Sequence, residues 1–240
     1  MSEEGTVSAP RHPLSRVFLT GALAGFCGTV FLVVAVASPY WLKSYPKTYS
    51  EFKHLGLWEA CFSNYHHPKY QYDSTFDGCH GFLSQRFMNL REWLQPGWFI
   101  FVQAMMVLAL LFSLSSLVLV GLLMMRYLLQ YELLMMAAIL CLTSLAALPT
   151  LFAVSVFGAL AFDRSWIQYP NFNHLSWSYA LAVVSFFMHL ISAGLLLRET
   201  CSARDRHRRY NSYLYNVGQP FKPEIFRFEQ GPYRHTTEAL

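Results

Sequence analysis

Apolar positions along this chain neither alternate with polar ones nor form short one-sided helical stripes; they fill four long, uninterrupted runs. Val17 to Ser38, Trp98 to Met125, Leu133 to Phe162 and Ser176 to Leu197 contain no Asp, Glu, Lys or Arg, and each is at least 22 residues long. Roughly 20 helical residues cross the hydrocarbon core of a bilayer, where only helices or closed barrels satisfy the backbone. Without the strict alternation of a barrel, the pattern predicts four transmembrane helices at 17–38, 98–125, 133–162 and 176–197. The first run is longer than the core of a signal peptide, and Pro39 disfavours cleavage after Ser38, so it is expected to be retained.

The polar segments between these runs are unequal. A short segment 1–16 precedes the first helix, 39–97 forms a long first loop, 126–132 a hairpin turn, 163–175 a short second loop and 198–240 a tail. An even number of spans puts both termini on one side. That side collects eleven Lys or Arg against seven on the other, with the run Arg204 to Arg209 directly after the fourth helix. Basic residues beside a span favour the cytoplasm. Both termini are therefore expected in the cytoplasm, with a tail that is disordered and two loops that are extracellular.

Over 240 residues, 54% are hydrophobic and only 13% charged, about half the usual charged fraction of ~25%. That composition excludes an ordinary soluble enzyme. The chain also lacks a C-x-x-C pair, a Gly-rich phosphate loop and a carboxylate dyad in a shielded site, so no catalytic residue, cofactor, metal or nucleic acid is expected. The net charge of +4 matters through its placement.

The long loop holds two cysteines, Cys61 and Cys79. Placed in an oxidising extracellular space, two thiols are expected to pair. Cys27 and Cys141 lie within spans as packing residues, and Cys201 follows the fourth span beside the basic run, where S-palmitoylation and a free thiol are both open. From Tyr40 to Trp58, aromatic and branched residues recur among Lys, Ser, Thr and Glu, and Pro39, Pro46, Gly56, Pro68 and Gly78 punctuate the loop. This suits short half-buried strands, so a small antiparallel sheet of three or four strands is expected on the outer membrane face.

The order Pro39-Tyr40-Trp41, then Gly56-Leu57-Trp58-Glu59-Ala60-Cys61, then Cys79 resembles the W…GLW…C…C signature of the claudin superfamily, which includes the peripheral myelin, epithelial membrane and lens membrane proteins. Segments such as Asp77-Gly78-Cys79-His80 and Leu175-Ser176-Trp177-Ser178 look like the invertebrate claudin-like proteins of septate junctions; the seventeen residues from Phe62 to Gly78 exceed the usual interval between the cysteines. The resemblance implies an all-α membrane protein: a four-transmembrane-helix bundle with a small extracellular antiparallel β-sheet. It implies a structural protein at lateral cell–cell junctions of the plasma membrane, part of a paracellular barrier. Its partners would be membrane lipid and like or related claudin-type chains, within one membrane and across the gap. An auxiliary or trafficking subunit of another membrane protein, or a peripheral-myelin-type adhesion protein, is the alternative.

Trp41 and Trp58 are suited to anchoring such a sheet at headgroup level, and Gly56 to a close approach or unusual backbone angle. Lys69, Asp73 and Asp77 are the charges that would line a paracellular path, against the plainer reading of a solvated hairpin. Gly21, Gly25 and Gly28 form a small-residue stripe for helix packing. His189, inside a span, is expected to bond a Ser on a neighbouring helix. The final Glu238-Ala239-Leu240 fits a weak PDZ-binding tail that would add a strand to a cytoplasmic scaffold domain.

Overall fold

Ser15 starts the first helix by accepting the Phe18 amide on its hydroxyl at 3.1 Å, and α1 then runs Arg16–Ala37 until Pro39 forbids another turn. In the computed structural model, which describes residues 15–48, 50–66, 75–85, 91–126, 131–167 and 169–218, α1 is succeeded by β1 (Leu42–Ser44), β2 (Phe52–Leu55), β3 (Glu59–Tyr65), β4 (Phe76–Gly81), a single turn α2 (Arg91–Leu94), α3 (Gly97–Met124), α4 (Glu132–Leu160), β5 (Asn173–Leu175) and α5 (Trp177–Gly218). By contacts the chain divides into two units. The unit ending at Ala203 holds the four long apolar helices and the sheet, and the unit from Arg204 onward begins with the helical continuation of α5.

Helices α1, α3, α4 and α5 are each long and apolar enough to cross a membrane. The first three begin and end within two residues of the charge-free runs. The last departs from expectation: α5 does not stop at Leu197 but continues to Gly218, so residues 198–218 are helical where a disordered tail was expected. Arg, Glu and Ala are good helix formers, and no Gly or Pro interrupts 198–217. Residues 219–240 lie outside the described ones.

Between helices the contacts are small and polar, as expected where lipid supplies little hydrophobic drive. A Cβ on Gly21, Gly25 or Gly28 would meet Leu195, Ser192 or His189 of α5 within 3.2 Å, so the glycine stripe seats α1 on α5. Ser192 and Ser185 donate to the Gly21 and Gly28 carbonyls, both at 2.8 Å. Ser113 of α3 donates to Thr29 at 2.7 Å, and Ser116 pairs with Thr143 of α4 at 2.9 Å. His189 bonds within its own helix instead of across: its Nδ1 donates to the Ser185 carbonyl at 2.9 Å. Ser185 four residues back presents the nearest acceptor, while the neighbouring helix is already served by the Ser185 hydroxyl. The outward faces carry Leu23, Val118 and Leu134, each more than 60% exposed, an apolar surface suited to lipid.

The strands form one antiparallel sheet in the order β4-β3-β2-β1-β5. It exceeds the three or four strands expected of the first loop, because β5 comes from the second. Leu42, Lys43 and Ser44 pair with Leu175, His174 and Asn173. The second loop is thereby fastened to the first by backbone hydrogen bonds and leads directly into α5. β3 carries an irregularity between Phe62 and Tyr65, where Asn64 adopts φ 52°, a bulge that bends the strand.

Candidate functional site

The residues singled out around the two cysteines converge where α1 gives way to the sheet. Cys61 and Cys79 are directly opposite in the β3–β4 register, their Cα atoms 4.0 Å apart, and are joined as a disulfide. Closing a loop of this size stabilises by about 3 kcal/mol in the chain-entropy model. The bond locks β4, an edge strand, to β3 within a run of four consecutive pairs that ends at the bulge.

Gly56 occupies the turn between β2 and β3. Its missing side chain is a matter of space: a Cβ there would lie 2.4 Å from the Pro39 Cα and 2.8 Å from the Ser38 carbonyl oxygen. Both are backbone atoms, so the sheet rests against the end of α1 with no room for a methyl group. Leu57 beside it is fully buried, and its carbonyl accepts from the Gln103 amide of α3. Gln103 in turn receives the Gln95 amide at 3.4 Å. Sequence reading passed over Gln103; the available signal was an amide side chain six residues into a span whose other polar side chains are serines.

Trp41 is corrected by the structure. Its ring does not face lipid as an anchor but is wholly buried in the protein, its Nε1–H donating to the Ala35 carbonyl at 2.7 Å. Phe157 and Tyr179 meet its ring edge-to-face at 4.9 and 5.9 Å. The cause is the turn at Ser38 and Pro39, which folds the chain back over the helix tops and drives the indole between α4 and α5. Trp58, by contrast, is 44% exposed, and its backbone carbonyl accepts the Phe82 amide at 3.0 Å.

His54 lies against the disulfide, its Nε2 3.1 Å from Cys61 Sγ, and stacks on Tyr40 at 4.5 Å. Burial holds its pKa below the usual imidazole value; the Glu59 carboxylate works against this and the Lys43 ammonium adds to it. Among the described residues, ligand atoms of His54, Glu59, Cys61 and Cys79 lie within 4.8 Å of one another. With both sulfurs bonded to each other, only an imidazole and a carboxylate remain, short of the four ligands a structural zinc takes.

Of the other candidates, Asp77 is exposed on β4 and accepts the Asn64 amide at 3.4 Å. Lys69 and Asp73 lie outside the described residues, as do Glu238, Ala239 and Leu240. Cys201 is a free, exposed thiol on the helical continuation of α5. Sequence reading missed Glu199, which is buried although it falls in the expected tail; Ser15 donates to its carboxylate at 2.6 Å, clasping α5 to the start of α1.

A family model described as PMP-22/EMP/MP20/Claudin tight junction matches residues 26–198. No curated protein matches the chain.

Proposed function

The chain belongs to the PMP-22/EMP/MP20/claudin family, and from that premise we propose that it is a structural, non-catalytic membrane protein of lateral cell–cell junctions, nearest in kind to the claudin-like proteins of septate junctions, that contributes to the paracellular barrier. The observation that carries this reading is the rigid seat of the sheet. Gly56 against Pro39, Trp41 sunk among the helix tops and the β1–β5 pairing hold both loops as one surface above four lipid-facing helices. A surface fixed in this way on each molecule can meet copies beside it and copies across a gap in a repeated geometry, which a floppy loop cannot. The exposed Asp77, together with the charges of Lys69 and Asp73 in the same loop of the sequence, then bears on which ions pass.

In this proposal both termini are cytoplasmic and the sheet lies outside the cell. Cys201, exposed next to the basic run, is a site for palmitoylation, and the last residues Glu238, Ala239 and Leu240 dock a PDZ scaffold. Tagged protein in an epithelium is expected to concentrate with a junction marker at lateral contacts, and its loss to raise leakage of a small dye between cells. Distribution with an ion channel, altered current and unchanged leakage would instead mark an auxiliary subunit.

A further inference from the structure

Strands β2 and β3, the α2 turn and the second loop surround a cleft of about 720 Å³ that none of the motif residues enters. Clefts of roughly 300–1,000 Å³ are the size that takes up small molecules. Its wall is aromatic, with Phe52, Phe62, Tyr65, Trp93, Tyr169 and Phe172 contributing. The rings are ordered against one another: Phe62 stacks on Tyr65 at 4.8 Å, and Tyr65 on Trp93 at 5.8 Å with 9° between planes. Glu51 is the one carboxylate among the described lining residues, and no Lys or Arg is among them. One Glu51 oxygen, Oε2, lies 3.4 Å from the His66 amide. Its charge is felt across the cleft, since the Tyr65 phenol is pushed above its usual range by burial first and by Glu51 second.

Negative charge set among ring faces selects the occupant by exclusion. An anion is repelled. A hard metal ion asks for six or more oxygen ligands, and one carboxylate on an aromatic wall does not supply them. A neutral apolar molecule would leave the carboxylate unused. A cation whose charge is spread over alkyl groups satisfies both parts, the rings through cation–π attraction and the carboxylate through charge. We infer that this cleft binds an alkylated ammonium group of the choline type, with Glu51 as its counter-charge and the Trp93, Tyr169 and Phe172 rings as its walls, the buried Tyr65 ring backing Trp93. Such a group reaches the protein as a soluble quaternary ammonium or as the headgroup of phosphatidylcholine.

The test uses the full chain in phosphatidylglycerol nanodiscs, titrated calorimetrically with choline and with its uncharged isostere 3,3-dimethylbutan-1-ol. Choline is expected to bind at least about tenfold more tightly, a gap of the size that a desolvated cation–π contact supplies. Glu51→Gln, an exposed position, should close that gap, and Trp93→Leu should weaken choline. Repeating the titration in phosphatidylcholine nanodiscs separates the sources: weaker apparent choline binding there makes the headgroup the occupant, and unchanged binding makes it the soluble ion. Equal binding of choline and the neutral isostere to the unaltered protein, or no binding of either, overturns the inference without recourse to any variant.

Discussion

Adding a methyl group to Gly56 probes the seat of the sheet more sharply than any larger change. At 2.4 Å from the Pro39 Cα, the new carbon meets backbone that no rotamer change can move aside. Gly56→Ala is expected to destabilise by about 1–3 kcal/mol, the usual cost of overpacking a filled site. Thermal unfolding of the detergent-solubilised protein reads this as a lowered midpoint; an unchanged midpoint would mean that the sheet is free to lift off α1. A neighbouring residue adds a pH dependence. His54 has a folded-state pKa below its unfolded value of 6.5, so the folded state binds its proton less readily than the unfolded chain does. Stability from this group is therefore complete above about pH 6.5 and declines as pH falls through 6.5 towards the lower folded value. His54→Gln should flatten that decline in a midpoint-versus-pH series. At this scale the sequence is only half legible. Gly56, Leu57 and the cysteines stand out as a motif, yet nothing in the chain says that Trp41 points inward to the Ala35 carbonyl. Its partners Phe157 and Tyr179 lie more than a hundred residues away.

Single elements show the same division. The spans are readable because lipid allows few alternatives: a charge-free run long enough to cross must be helical. Strand β5 is not readable, because three residues have no periodicity to speak of and Asn173–Leu175 is a strand only through the register that β1 offers it. The end of α5 is misjudged for a third reason, since the membrane face ends an apolar run without ending a helix. The β3–β4 pair is where a covalent bond reinforces an element. The ladder runs unbroken from Glu59–Gly81 to Phe62–Gly78 and is interrupted only before Tyr65–Phe76 by the Asn64 bulge, and the Cys61–Cys79 bond fastens the unbroken part. Replacing both cysteines by serine is expected to cost about 3 kcal/mol and to raise amide exchange in β4 while α3 and α4 remain protected. Protection in β4 equal to that of the unaltered protein would show that the bond is dispensable to the sheet.

For the whole molecule, the remaining question is which way it faces, and the structure and the charges approach it separately. Four crossing helices put both ends of the chain on one side and the sheet, built from the first and second loops, on the other. The basic run from Arg204 to Arg209 supplies the sign, because such residues are held to the cytoplasmic face. A disulfide in the sheet points the same way, since such bonds form and persist in oxidising spaces and are rare in the cytosol. In a chain whose free thiols Cys27, Cys141 and Cys201 are replaced by serine, single new cysteines make the point measurable. With Asp77→Cys, on the exposed face of β4, intact cells should react with a membrane-impermeant maleimide. With Arg209→Cys, labelling should appear only after the membrane is opened. The reverse pattern would place the sheet inside the cell, and a barrier between cells could not then be its work.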